Sequence, residues 1–144
     1  MSAEVVKLIP TDPEYVPTEK CIEMIDEWIQ RFHAQIIVTE EVRFIDQGAN
    51  FEKIICPFCL SNIEIEWWQN QMDIASESSF HELKTITTCC NQQTTLNDLN
   101  YIWEAGFARF TIEVLESSSD ITKADVLTIG EKLECSLKKV IAHY

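Results

Sequence analysis

Four cysteines in the middle of the chain form the pattern most typical of metal binding. Cys56 and Cys59 are separated by two residues, and Cys89 and Cys90 follow as an adjacent pair. A Cys-x-x-Cys turn directs two thiolates at one position, and a second pair of thiolates can complete the tetrahedral coordination of Zn²⁺. The sequence therefore predicts one structural zinc site built from these four cysteines.

The adjacent pair leaves alternatives open, because zinc-binding turns usually place two residues between their ligands. Either Cys89 and Cys90 both reach the metal with an unusual backbone, or only one binds and His81 or another group supplies the fourth ligand. Without metal, Cys56 and Cys59 could form a redox dithiol, but a helix usually activates such thiols. The residues after Cys59 favour a strand instead. A disulfide between Cys89 and Cys90 would be strained and easily reduced.

The composition indicates a single globular domain in the cytoplasm. Of 144 residues, 46% are apolar and 24% are charged, as in ordinary soluble domains. No apolar run approaches the roughly 20 residues that span a bilayer, and the start of the chain lacks the basic and apolar segments of a secretory signal. A reducing compartment disfavours disulfides, so the clustered cysteines indicate metal or redox chemistry.

The chain is strongly acidic, with a formal net charge of −13. The acidic excess runs through its beginning, middle and end, and no stripe of Lys and Arg interrupts it. Such a surface repels a phosphate backbone, so nucleic-acid binding is disfavoured. The charge keeps the protein soluble, and it also suits a basic protein partner.

Hydrophobic periodicity predicts the elements that lead to the first cysteines. Strands are predicted at 4–9 and at 51–55, and 35–45 is predicted as a strand or as a long strand with a bend at the acidic pair Glu40-Glu41. Between the first two, Thr18 is the predicted N-cap of one continuous helix. The predicted buried face of that helix consists of Ile22, Ile25, Trp28, Ile29 and Phe32.

The elements after the first cysteines are predicted in the same way. Alternation at 63–67 predicts a strand, followed by a helix at 68–75 and a strand at 84–88. From Gly106 a further strand is predicted, with one face formed by Ala108, Phe110, Ile112 and Val114. A loop at 117–120 leads to the closing helix. Thr122 and Asp125 are predicted to cap that helix reciprocally, and its apolar positions extend it to about Ala142.

This order of elements predicts an α+β fold. Two amphipathic helices and three or four strands most simply form a two-layer sandwich, with the helices on one face of the sheet. We expect a ferredoxin-like plait that forms one domain over 1–144, with residues 51–95 as an inserted zinc-ribbon-like segment.

Two resemblances accompany this interpretation. The run Cys56-Pro57-Phe58-Cys59 followed by Cys89-Cys90 resembles the rubredoxin-type knuckles of zinc-ribbon proteins, which implies a bound zinc. Over residues 50–115 the chain also resembles a group of uncharacterised small bacterial proteins with no established activity. That second resemblance rests on the cysteines together with Trp67-Trp68, Leu96-Asn97-Asp98-Leu99 and Gly106-Phe107-Ala108-Arg109-Phe110. Some of those proteins carry a transporter-ATPase label, but this chain has no G-x-x-x-x-G-K-[ST] loop and only three glycines.

Trp67 and Trp68 are the predicted partner-binding residues. On a strand, adjacent side chains face opposite sides, so one indole could be buried while the other projects as an anchor for a partner. The alternative is that both are buried between the ribbon and the main sheet.

No catalytic motif stands out, and no catalytic residue is predicted. The sequence favours a non-enzymatic acidic binding, adaptor or regulatory protein that is stabilised by zinc and masks a basic protein partner. The alternative is a small metal- or thiol-dependent hydrolase that uses the cysteine site or nearby carboxylates.

Overall fold

The structure is a computed structural model that describes residues 3–115 and 121–144. The loop predicted at 117–120 lies outside the described residues. The helices are α1 (Glu19–Glu23), α2 (Asp26–Arg31), α3 (Ile65–Ser76) and α4 (Lys123–Leu133). The strands are β1 (Glu4–Pro10), β2 (Gln35–Ile45), β3 (Lys53–Ile55), β4 (Lys84–Ile86), β5 (Gln93–Thr95), β6 (Asn100–Ile102), β7 (Gly106–Leu115) and β8 (Leu137–His143). Helices combined with antiparallel sheets confirm the α+β class.

Four long strands form what we call the main sheet, in the order β2-β7-β1-β8. Every neighbouring pair is antiparallel, and β1 is central, with Leu8 opposite Ile112 on β7 and Lys139 on β8. Both edges of β1 are thus hydrogen-bonded, and because Val5 to Pro10 are also buried on both faces of the strand, it begins with a nearly continuous apolar run.

The helices α1, α2 and α4 contribute to one core with the main sheet. On β1 and β7 the side chains of alternate residues point to this core, as the period of a strand requires. The fully buried or nearly buried members of this helix-side cluster are Val6, Leu8, Cys21, Ile25, Trp28, Phe110, Ile112, Val114, Ile121, Ile129 and Leu133. Thr18 caps α1 by accepting the Cys21 N–H, and Thr122 and Asp125 form the predicted reciprocal cap of α4.

The first helix is not continuous, contrary to the prediction. Helix α1 ends at Glu23, and the Met24 N–H donates to the carbonyls of Cys21 and Ile22. Hydrogen bonds to carbonyls fewer than four residues back in the sequence tighten the last turn of a helix and end it. Ile25 leaves the helical region, with φ −108° and ψ 9°, before α2 begins.

The closing helix is also shorter than predicted, because α4 ends at Leu133. Glu134 takes the left-handed conformation with φ 61°, and the Cys135 N–H donates to the Gly130 carbonyl at 3.0 Å. This geometry terminates helices. Leu137 and Val140, predicted on the helix, lie on β8 and complete the free edge of β1.

The bend predicted within β2 is present. Its register against β7 shifts between Val38 and Arg43, the stretch that contains the acidic pair. Such an irregularity re-aims side chains on either side of it. Ala108, which pairs with Arg43 beyond the shift, does not belong to the helix-side cluster that contains Phe110. It packs instead with Ile9, Ile45 and Val140.

Residues 46–105, which we call the insertion, lie between β2 and β7 and include the predicted ribbon segment. Two small antiparallel sheets, β3-β6 and β4-β5, lie within it. Its core also contains residues of the main sheet. The buried members of this insertion cluster are Val42, Ile54, Cys56, Ile63, Ala75, Leu83, Leu96, Leu99, Tyr101, Ala105 and Phe107.

The strand predicted at 63–67 is wrong, because helix α3 begins at Ile65. The alternation that suggested a strand covers only five residues. Over a longer window, Trp68, Met72 and Ala75 recur at i, i+4 and i+7, the period of a helix, and all three pack on the insertion cluster. Trp67 and Trp68 therefore lie side by side on a helix and do not face opposite sides of a strand.

Candidate metal centre

The structure brings the four predicted cysteines together. The Sγ atoms of Cys56, Cys59, Cys89 and Cys90 all lie within 4.8 Å of one another. The two shortest distances join Cys59 to Cys89 at 3.4 Å and Cys56 to Cys90 at 3.7 Å. Four sulfurs about 2.3 Å from a tetrahedral Zn²⁺ would be separated by about 3.8 Å. The spacing is therefore compatible with a zinc-binding knuckle.

The first cysteine turn, residues 56–61, directly follows β3. The Leu60 N–H donates to the Cys56 carbonyl at 3.1 Å, and the Cys56 N–H donates to the Ser61 carbonyl at 2.9 Å. Leu60 has a φ of 63°, which reverses the chain after Cys59. The Phe58 N–H points at Cys56 Sγ across 3.5 Å. A backbone donor of this kind stabilises a thiolate.

The second cysteine turn, residues 87–92, follows β4 and repeats these contacts. The Asn91 N–H donates to the Thr87 carbonyl at 2.9 Å, and the Thr87 N–H donates to the Gln92 carbonyl at 2.9 Å. Asn91 has a φ of 57°, the counterpart of Leu60. The unusual backbone expected around adjacent cysteines is thus a turn of the same type as the first.

Burial divides the four thiols into an inner and an outer pair. Cys56 is buried and Cys90 is half-buried, and both belong to the insertion cluster. Cys59 and Cys89 are exposed. The inner pair anchors the site to the core of the insertion, while the outer pair faces solvent.

Hydrogen bonds shift the pKa values of these thiols in opposite directions. Contacts with the hydroxyl and N–H of Ser61, and then with Cys89, lower the pKa of Cys59 to about 6. Desolvation of its Sγ among the other sulfurs, and then the hydrogen bond to Cys59, raise the pKa of Cys89 to about 12, although the residue as a whole is exposed. For Cys56, burial alone would raise the pKa, but the N–H groups of Cys59 and Phe58 outweigh it and lower the value. The metal-free cluster thus favours a thiolate next to a neutral thiol.

The donor set indicates what the site can do. Clustered thiolates are soft ligands that select Zn²⁺, Cu⁺ or iron–sulfur centres over hard cations. Four protein ligands would leave no open position for water, which is the arrangement of a structural site. The four cysteines could therefore hold a metal ion.

The other residues singled out in the sequence lie elsewhere. His81 is not brought to the cluster, since its Nδ1 lies 2.6 Å from Glu14 Oε2 and links the insertion to the loop after β1. Cys21 and Cys135 pack in the helix-side cluster, as small apolar residues do.

The predicted partner-binding pair is half-buried. Trp67 and Trp68 both pack on the insertion cluster. The Trp68 indole N–H donates to the Tyr101 hydroxyl at 3.1 Å, and its ring contacts those of Phe44 and Phe51. Because the pair lies on a helix, strand geometry no longer predicts that one indole is exposed. Partner binding by this pair stays a prediction.

Thr87 is the site residue that sequence reasoning missed. It is buried, and its Oγ1 lies 3.4 Å from Cys90 Sγ. A signal was present, because Thr87 precedes Cys90 by three residues just as Cys56 precedes Cys59. Cysteine spacing alone does not reveal Thr87, because a hydroxyl does not resemble a thiolate ligand.

Comparison with protein-family models, with curated proteins and with solved structures finds no match to this chain. Within 3–115 and 121–144, no helix is both long enough and apolar enough to cross a membrane.

Proposed function

We propose that this protein is a non-enzymatic binding or adaptor protein whose insertion is held by a structural zinc ion and whose acidic surface docks a basic protein partner. The observation that carries the proposal is the cluster of four cysteine Sγ atoms within 4.8 Å of one another. With four thiolates on one ion, no ligand position is left for the activated water of a catalytic zinc.

Zinc is the metal proposed because of the ligands and their arrangement. Two turns, each closed by a residue with positive φ, bring four sulfurs within 4.8 Å of one another. Two cysteine-bearing turns, entered from β3 and β4, resemble the knuckles of a rubredoxin-type zinc ribbon, and this resemblance supports zinc. The chemistry supplied by the ion would be structural, as in closed four-cysteine sites.

The proposed scaffold is a two-layer, ferredoxin-like plait. In chain order, β1, a helical segment, β2, β7, α4 and β8 form a β-α-β-β-α-β series, interrupted by the insertion. Strands β1 and β7 are central, and β8 and β2 lie at the edges. The helix-side cluster unites α1, α2 and α4 with one face of this sheet.

The proposed partner is a basic protein. A net charge of −13 attracts cationic surfaces and repels nucleic acid. The hydrogen bond to Tyr101 holds the Trp68 indole against the insertion cluster, so we assign partner binding to Trp67. Beside the outer cysteines, Phe58 and Leu60 are 50% and 72% exposed. These apolar side chains extend the proposed contact surface to the tip of the first cysteine turn.

A thiol-dependent hydrolase is the second candidate, and one observation favours it. Cys59 is exposed and its pKa is lowered to about 6, so metal-free protein carries a thiolate at neutral pH, the reactive form of cysteine. Turnover of ester or amide substrates that disappears on adding Zn²⁺ would support this candidate and contradict the adaptor proposal.

The metal proposal is tested by elemental analysis of protein purified without chelator. We expect about one zinc per chain. Cys59→Ser should lose the metal and a large part of the thermal stability of the insertion. Cys135→Ser is the matched control, since it removes the same sulfur from the helix-side cluster and should keep the zinc. Metal-free native protein with six titratable thiols would overturn the proposal.

The partner proposal is tested by binding kinetics at increasing salt. Surface charges are screened over about 8 Å at physiological ionic strength, so association with a captured basic protein should slow as salt rises. Trp67→Ala should mainly speed dissociation, and neutralising acidic residues should mainly slow association. Binding that is indifferent to salt and to Trp67 would contradict the assigned surface.

A further inference from the structure

The two cysteine turns match residue by residue. Each turn has a hydrogen bond from its fifth residue to its first carbonyl and from its first N–H to its last carbonyl. The fifth residues, Leu60 and Asn91, share a positive φ. In this alignment Cys90 corresponds to Cys59, and Thr87 corresponds to Cys56. The second turn therefore keeps one standard ligand and has a threonine at the other ligand position.

Thr87 occupies this ligand position with a hydroxyl that is already engaged. Its Oγ1 accepts the Gln92 N–H at 3.1 Å and lies 3.4 Å from Cys90 Sγ. The side chain is 1% exposed. A buried hydroxyl beside a ligand sulfur orients and stabilises that thiolate as an outer-shell partner. Thr87 thus supports Cys90 and does not replace the missing thiolate.

Cys89 supplies the fourth sulfur from a position that holds no ligand in the first turn. It corresponds to Phe58, whose side chain is half exposed. Three of the sulfurs have a polar contact outside the cluster: Cys56 with the Phe58 N–H, Cys59 with the Ser61 hydroxyl at 3.3 Å, and Cys90 with Thr87. Among the described residues, the contacts of Cys89 Sγ are confined to the cluster, the shortest being with Cys59.

We infer that Cys89 is the exchangeable ligand of the metal centre, and that a small external thiol can take its place on the ion. This inference rests on the proposed metal site. In the exchange, the bond from the metal to Cys89 Sγ breaks and a bond to the incoming sulfur forms. The proton of the incoming thiol passes to the Cys89 thiolate, so no oxidant or reductant is needed. Cys56, Cys59 and Cys90 keep the ion in place.

The functional consequence is a centre that is open to thiol ligands from solvent without releasing its metal. Cys89 and Cys59 form the exposed side of the cluster, so an incoming thiol would approach where Cys89 leaves. A partner or small molecule with a free thiol could then bind directly to the ion.

The inference is tested with Co²⁺, whose visible absorption reports the number of thiolate ligands. Cys90→Ser should weaken Co²⁺ binding by at least about 100-fold, beyond the effect of most outer-shell changes. Cys89→Ser should weaken it far less than Cys90→Ser does and change the spectrum to that of three thiolates. Adding 2-mercaptoethanol should restore the four-thiolate spectrum in Cys89→Ser and leave Cys90→Ser unchanged.

The double variant Thr87→Cys with Cys89→Ser places both ligands at regular turn positions. It should show the four-thiolate spectrum without added thiol and transfer Co²⁺ to a chelator more slowly than the natural protein. Equal losses in Cys89→Ser and Cys90→Ser, or a Cys89→Ser spectrum that 2-mercaptoethanol does not alter, would overturn the inference. Failure of the natural protein itself to give a four-thiolate spectrum would overturn the proposed metal site as well.

Discussion

The strands of the main sheet have 7, 11, 10 and 7 residues, whereas each of the four strands in the insertion has three. Small sheets of two short strands are marginal on their own in water. The long strands, by contrast, are covered by helices and bury a continuous apolar face. The difference shows that one region is held by burial and long ladders, while the other needs additional links.

Those links are of two kinds. The thiol cluster joins the turn after β3 to the turn after β4. On the side of the main sheet, Phe44 on β2 and Phe107 on β7 contact each other and belong to the insertion cluster, and Phe44 also contacts Trp68. The insertion is thus attached to the main sheet by apolar contacts, and its two cysteine turns meet at the thiol cluster.

Metal removal should have the largest effect on this contrast. Structural zinc contributes about 10–16 kcal/mol of apparent binding free energy in small sites. After treatment with a strong chelator, amide hydrogen exchange should accelerate in β3 to β6, while β1 and β7 stay protected. Equal acceleration in both regions would show that they are one cooperative unit. No change in exchange would show that the cysteine site does not stabilise the insertion.

Phe110→Ala should produce the opposite pattern. Phe110 is fully buried in the helix-side cluster, so its truncation should cost about 3–5 kcal/mol in the free energy of unfolding. Urea unfolding measures the loss, and metal content should stay at the natural level. Loss of the metal in a variant that is still folded would contradict the separation of the two regions.

One tyrosine in each region allows the stability contributed by its hydrogen bonds to be compared between the insertion and the main sheet. Tyr101 donates to the Leu96 carbonyl at 2.7 Å and accepts from Trp68, whereas Tyr15 donates to the Leu133 carbonyl at 2.6 Å. Tyr101→Phe leaves the indole N–H of the half-buried Trp68 without its partner and should cost about 1–3 kcal/mol, against about 1 kcal/mol for Tyr15→Phe. Urea unfolding of both variants decides the order, and a larger loss for Tyr15→Phe would contradict it.

The smallest effect is expected at Asp46, beside the main sheet. Partial burial alone would raise the pKa of Asp46, but Lys7 at 3.4 Å and the Tyr144 hydroxyl lower it. Because the pKa of Asp46 is lower in the folded state, its carboxylate stabilises the fold at pH values above the ordinary pKa. This stabilisation is lost as the pH falls through the lowered pKa. Because the carboxylate is 40% exposed, Asp46→Asn should cost only about 0–1 kcal/mol near neutral pH.

The measurement for Asp46 is urea unfolding of both proteins as the pH is lowered. The difference in free energy between the natural protein and Asp46→Asn should shrink in acid and vanish once Asp46 is protonated. A difference that grows as the pH falls would contradict the sign.

Local patterns in the sequence predicted most elements of the main sheet. The caps at Thr18 and Thr122 depend on side chains within three residues of the helix start, and the strand from Gly106 shows its own alternation. Strand β8 could not be predicted from the local pattern, because Leu137 and Val140 continue the helical spacing of the apolar residues in α4. Pairing with the free edge of β1, far away in the sequence, makes this segment a strand.

The cysteine site divides in the same way. Thiol chemistry and the two-residue spacing of Cys56 and Cys59 were sufficient to predict a cluster of four, since a thiolate pair in one turn is a local property. The unequal roles of Cys89 and Thr87 were not readable from spacing. They follow from the backbone hydrogen bonds that make the second turn match the first, and those bonds form only when β4 and β5 pair across the turn. Residue type and local spacing determined which atoms can bind a metal, and tertiary pairing decided the position from which each one reaches it.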